Sequence, residues 1–187
     1  QHAWAVVSHR ERMGDWMSRV RKAKLDLSSI DIPELALRNL LVLEPQPQAT
    51  ALLRLSSTGG ALIVAWRGEL CSFRRFNDLN VAHFSSVDLM GRQALLERLA
   101  LELQRTADAF ERQFYGTSIE RVWVEQSVPD IDLVQQLAPH VSIRLQPYDL
   151  ADTLELGHRA TVTMSRHKAP KASLIAVGAA LRQVIVA

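Results

Sequence analysis

Between Arg92 and Tyr115 the apolar residues Leu95, Leu96, Leu99, Leu103, Phe110 and Phe114 recur every three or four positions. That period places them on one face of an α-helix long enough to cross a small domain. Asp108 stands four residues before Arg112, the spacing at which opposite charges meet on a helix surface, and Gly116 supplies the stop. A helix this long with one apolar stripe needs a broad surface to cover it. The preceding sequence offers a sheet: Ala51 to Leu55, Ala61 to Arg67 and Leu70 to Phe76 are short apolar runs separated by Ser56-Ser57-Thr58-Gly59-Gly60 and by a tight turn at Gly68. This pattern predicts a three-stranded antiparallel meander.

After the long helix, Ile119 to Glu125 reads as a strand, Asp130 to Ala138 as a short helix closed by Pro139, and Val141 to Leu145 as another strand. Helices alternating with strands imply parallel pairing through crossover connections. Asn77 to Gly91 shows no period and is expected to be a loop, and Tyr148 to Leu156 a loop or a single helical turn. Gly157 to Lys171 is polar and mildly basic. Ala172 to Val184 reads as a helix whose Ala176, Gly178 and Ala180 allow a neighbour's backbone to come close.

The first part of the chain has a different rhythm. Trp4 to Val7 is a short apolar run, Ser8 and Glu11 have capping-box spacing, and Met13, Trp16, Met17, Val20 and Ala23 follow at helical intervals. Leu27 to Ile30 reads as a second strand. Asp31, Pro33 and Glu34 then open a helix running to about Leu43. The result is a partial βαβα subdomain over 1–44, with Pro45 and Pro47 marking the boundary to a second subdomain over 51–187.

Charge and cysteine content exclude some classes. The 22 Lys and Arg against 20 Asp and Glu leave +2, too little for a phosphate-gripping polybasic surface, so nucleic acid is not expected as a partner. The one cysteine, Cys71, cannot make an internal disulfide, which suits a reducing compartment such as the cytoplasm. No run of apolar residues is long enough to span a membrane. The chain opens at Gln1 without an initiator methionine and stops on Ile185-Val186-Ala187, which reads as an excised piece.

Three antiparallel strands, a long helix, a strand, a helix, a strand and a closing helix follow the order of one half of the actin-like, ribonuclease H-like architecture. The segments Trp4 to Glu11 and Leu27 to Leu40, the helix carrying Gln104-Arg105, the strand Ile119 to Val124 and the run Ala176 to Arg182 make the likeness narrower. Together they resemble the PilM family of type IV pilus assembly proteins, including its mannose-sensitive haemagglutinin (MSHA-type) branch. The cytoplasmic domain of the type II secretion protein GspL is a relative. The resemblance implies an α/β, actin-like domain at the inner face of the inner membrane. It also implies contact with PilN-like or other platform proteins and, through them, with the assembly motor ATPase, while leaving a homodimer open.

An actin-like nucleotide site needs a carboxylate for hydrated magnesium and glycines that let backbone N–H groups reach phosphate. The resembled family starts its second phosphate hairpin with Asp-x-Gly, whereas this chain reads Leu53-Arg54-Leu55-Ser56-Ser57-Thr58-Gly59-Gly60. Where the family places a glycine pair after the following strand, this chain has Glu125-Gln126-Ser127. Ser56, Ser57, Thr58, Gly59 and Gly60 are therefore expected to be a vestigial phosphate loop serving as a hairpin turn, with no bound cofactor and no ATP hydrolysis. The competing reading is a nucleotide-regulated member of the same fold.

The remaining candidates have plainer explanations. Asp130 and Asp132 flank a helix start, where capping accounts for them. His2, His9, His83, His140, His158 and His167 show no ligand spacing, so no metal is expected. Cys71 reads as a structural thiol. Arg159, Arg166, His167, Lys168 and Lys171 read as a solvated basic loop. Core packing is expected for Trp4, Trp16 and Trp123, whereas Trp66 with Arg67, at the end of a hairpin strand, is the candidate partner contact. No nucleophile, base and orienting group share a motif, so no catalytic residue is assigned.

Overall fold

The computed structural model describes residues 3–43, 47–125, 128, 131–150 and 172–182. The chain divides into two compact units, 1–32 and 33–187. The first is built on one helix, α1 (Arg10–Lys22), with irregular chain on either side. Two expectations fail here. Trp4 to Val7 and Leu27 to Ile30 are not strands but exposed chain without regular secondary structure. A strand exists by exchanging backbone hydrogen bonds with a neighbour, and no such ladder forms among the described residues of this unit. The capping box also fails: His9, not Ser8, is the N-cap, and no side chain caps the helix. Trp4 and Trp16 are 51% and 58% exposed, so core packing does not account for them.

The second unit begins with α2 (Pro33–Leu41), which has Pro33 at its first position and Glu34 in its first turn, as predicted. The division between units thus falls before α2 and not at Pro45 and Pro47, because Leu37, Leu40 and Leu41 are buried against Leu52 and Ile63 of the sheet. The sheet comprises β1 (Ala49–Leu55), β2 (Gly60–Trp66), β3 (Glu69–Phe76), β4 (Ile119–Glu125) and β5 (Arg144–Tyr148), in the order β3-β2-β1-β4-β5. The meander β1-β2-β3 is antiparallel, and β4 and β5 continue it in parallel.

Part of the expected loop, Asn77 to Gly91, is a short helix, and the predicted long helix starts three residues earlier than expected. In α3 (Val81–Ser86) the Asn80 side chain accepts from the His83 N–H and Phe84 is fully buried. In α4 (Leu89–Gln113) the Asp88 carboxylate accepts from the Gly91 N–H. Caps and one buried aromatic make α3 a helix, while six residues are too few to show a period. α5 (Leu133–Leu137) is capped by Asp132, whose carboxylate accepts from Gln135 N–H at 3.0 Å. A 3₁₀ turn (Ala138–His140) follows it, and β5 starts at Arg144 and not at Val141. β5 is an outer strand, which is what allows Pro147 within it.

Leu96, Leu99, Leu103 and Phe110 of α4 pack on Leu53, Leu55, Leu62, Val64, Val122 and Val124, forming one core layer. The opposite sheet face carries Leu52, Ile63, Ala65 and Leu70. α2 and α6 (Ala172–Ala180) cover it. β1 is therefore buried on both faces, as parallel pairing requires. The two covering helices nearly touch: a Cβ on Gly178 would lie 2.0 Å from the Ala36 carbonyl oxygen, and the buried Asn39 amide donates to the Gly178 carbonyl at 2.8 Å. Small residues in the last helix do what their spacing suggests.

Candidate functional site

The β1–β2 hairpin, the end of β3 and the start of α2 border a cleft of about 320 Å³, lined among others by Glu34, Arg54, Thr58, Gly60 and Arg75. Arg54 points into it because β1 alternates: Leu53 and Leu55 face α4, and Arg54 faces the other way. The parallel register places Leu53 beside Val124, and the next residues, Arg54 and Glu125, project side by side. Arg54 Nε and Glu125 Oε2 are 3.1 Å apart, with both side chains 13% exposed. Arg54 is thus neutralised by Glu125 on the neighbouring strand.

A second ion pair closes the other side. Glu34, 3% exposed, receives Arg75 Nε on Oε1 at 2.5 Å, and a terminal nitrogen of the same guanidinium also reaches that oxygen. In both pairs one carboxylate offsets one guanidinium, so the described residues bordering the cleft leave no cation in excess for a polyphosphate.

The hairpin loop uses its polar groups on itself. Ser56 N–H and Ser56 Oγ both donate to the Gly59 carbonyl at 2.7 Å, and Thr58 N–H donates to Ser56 Oγ at 3.3 Å. The Ser56 carbonyl in turn accepts from Val81 N–H at 2.9 Å. Its glycines also have a packing reason: a Cβ on Gly59 would lie 2.6 Å from the Phe76 carbonyl oxygen, and one on Gly60 would lie 2.9 Å from the Leu79 carbonyl oxygen. Gly59 and Gly60 let the turn lie against the backbone that leaves β3.

Trp66 and Arg67 come together at the β2–β3 turn. The Arg67 guanidinium lies 4.2 Å from the Trp66 ring centroid, and the ring packs edge-on against Phe114 with centroids 5.8 Å apart. Trp66 Nε1 donates to the Pro47 carbonyl at 3.2 Å. Trp66 is half-buried, so Arg67 is the more exposed of the two. Arg67 also holds a φ of 52°, the left-handed region that side chains other than glycine seldom adopt.

Cys71 sits between the Trp66 and Glu69 carbonyls, 3.9 and 3.6 Å from its Sγ. Burial pushes its thiol upward, a backbone hydrogen bond at Trp66 opposes that, and the Glu69 charge adds to the upward shift. Such a thiol is a poor nucleophile at neutral pH. His9 stands at the N-cap position of α1 without a side-chain cap, His83 Nδ1 lies 2.7 Å from the Asp78 carbonyl oxygen and His140 lies beside Gln93. The basic run from Arg159 to Lys171, together with Gln126, Ser127, Asp130, His2, His158 and His167, lies outside the described residues. Sequence reasoning missed the pairings Arg54–Glu125 and Glu34–Arg75. Charged residues in or beside apolar strands were the available signal.

No protein-family model matches the sequence, and no curated protein matches it. Among solved structures, one titled "PilM-PilN type IV pilus biogenesis complex" superposes with a TM-score of 0.69 at 17% identity, over 94% of this chain and 58% of that chain. The fold is actin-like. The ethanolamine utilization protein EutJ from Carboxydothermus hydrogenoformans gives a TM-score of 0.50 at 8% identity, over 75% of this chain and 57% of that one. This actin-like chain therefore spans somewhat more than half the length of the proteins it resembles, and at these identities the likeness is one of fold.

Proposed function

We propose that the chain is a non-catalytic docking module of a type IV pilus biogenesis platform, at the cytoplasmic face of the inner membrane, with a PilN-like membrane protein as partner. Within that group the sequence segments quoted above resemble those of the MSHA-type protein MshI. The observation that carries the non-catalytic reading is the Arg54–Glu125 pair. A magnesium nucleotide in an actin-like cleft needs a carboxylate from the first strand and open backbone at the end of the fourth, and here a cation and a carboxylate occupy those places and offset each other's charge. The likeness to PilM in a complex with PilN supports the partner.

Two measurements test the proposal. Calorimetric titration of the chain with Mg-ATP is expected to show no binding, and a micromolar dissociation constant would remove the non-catalytic reading. Cytoplasmic segments of PilN-like proteins are expected to bind the immobilised chain. If a panel of such segments all failed to bind, the docking assignment would be lost.

A further inference from the structure

α1 carries an apolar stripe: Met13, Trp16, Met17 and Val20 follow the i, i+3, i+4, i+7 spacing, Met13 and Val20 are half-buried, and no residue of the helix is buried. Trp16 is 58% and Met17 42% exposed. The charges are sorted around this stripe. At 100° per residue, Arg10 and Arg21 flank one side of it and Arg12 and Arg19 the other, while Glu11, Asp15 and Lys22 fall on the far face. The Arg19 guanidinium already lies 5.5 Å from the Trp16 ring centroid, at the border between cationic flank and stripe.

A helix that inserts into a protein core needs an apolar stripe but has no need to sort its charges by sign. A helix lying on an anionic lipid surface needs both: an aromatic and aliphatic face set among the acyl chains, and cations at headgroup level on each side, with acids held away. Thirteen residues extend only about 20 Å, too short to cross the hydrocarbon layer, so the helix lies in the plane of the surface.

We propose that α1 is an interfacial helix that seats Met13, Trp16, Met17 and Val20 in an anionic phospholipid surface, with Arg10, Arg12, Arg19 and Arg21 on its headgroups. This goes beyond the docking reading and does not depend on it. The test uses the whole 187-residue chain with vesicles of phosphatidylglycerol or of phosphatidylcholine. The chain is expected to sediment with phosphatidylglycerol only and to release in high salt. Its tryptophan emission should move to the blue, a shift largely removed by Trp16→Phe. Replacing the four flanking arginines with glutamine should abolish sedimentation, at roughly fivefold per arginine, while Lys22→Gln on the far face should cost less than a single flanking arginine.

Absence of sedimentation, equal sedimentation with both lipids, or unaltered sedimentation of the four-arginine variant would overturn the proposal. So would a Trp16 already shielded from acrylamide in the lipid-free chain, because a protein surface would then cover the stripe. Circular dichroism of each variant separates lost lipid contact from lost helix.

Discussion

Arg54 and Glu125 end adjacent parallel strands and meet at 3.1 Å, each largely withdrawn from solvent. Removing one partner strands the other's charge in a place water reaches poorly. Arg54→Ala is expected to destabilise the second unit by about 2–3 kcal/mol, while Arg54→Met combined with Glu125→Met should fall within about 1 kcal/mol of the parent. Urea denaturation of the single and double variants checks this, and equal losses in both would show that the pair is energetically idle.

Gly178 is the contact point of α6 on α2. A methyl group there would stand only 2.0 Å from the Ala36 carbonyl oxygen, so Gly178→Ala must push the two helices apart and stretch the Asn39–Gly178 hydrogen bond. The expected loss is about 3 kcal/mol, read from the denaturation midpoint. Ala176→Ser, at an exposed position of the same helix, should change stability by less than about 0.5 kcal/mol.

In the hairpin, Gly59→Ala would bring a methyl group to 2.6 Å from the Phe76 carbonyl oxygen at a φ of 157°. A loss of about 1–3 kcal/mol is expected, and added phosphate or Mg-ATP should not change it. If phosphate stabilised the parent chain but not the variant, the loop would be an anion site after all.

For Cys71 the prediction concerns pH. Burial raises the folded thiol's pKa, so folding favours the protonated form. Stability from this group is complete below the unfolded thiol's pKa of about 8.5 and declines as pH rises through the higher folded value. Denaturation midpoints should therefore fall on the alkaline side by more in the parent than in Cys71→Ala, and alkylation by iodoacetamide at neutral pH should be slow compared with the unfolded chain.

Arg67 occupies a backbone conformation that suits asparagine or glycine better. Arg67→Asn should therefore stabilise the turn by about 0.5–1 kcal/mol. If Arg67 and Trp66 anchor a partner, the same substitution should weaken binding of the PilN-like segment despite the gain in stability. Unchanged binding would release these two residues from the docking surface.

Much of the second unit was legible in sequence because its elements are repetitive. The stripe from Leu95 to Phe114 and the turns at Gly59, Gly60 and Gly68 each impose one local geometry, and the strands between them are observed where expected. α3 was not legible, since its six residues are held by the Asn80 cap and by Phe84 reaching a core assembled from distant segments. β5 was displaced by three residues because Val141 to Ile143, apolar enough to read as strand, lie in the bend between the 3₁₀ turn and β5 and take no part in its pairing with β4. In the first unit Trp4 to Val7 and Leu27 to Ile30 have strand-like composition, but composition supplies no hydrogen-bonding neighbour. At the cleft, the absence of a carboxylate from Leu53 to Gly60 could be read along the chain, while the salt link from Arg54 to Glu125 across two strands required the register of β1 on β4.

Pro147 makes the two margins of the sheet unequal. An outermost strand tolerates proline where the missing N–H would have faced outward, so this rim has one donor fewer to offer an incoming chain. β3, at the opposite rim, contains no proline. Among the described strands, one added beside β5 would therefore lack a donor opposite Pro147, a loss that the sequence of β3 does not impose.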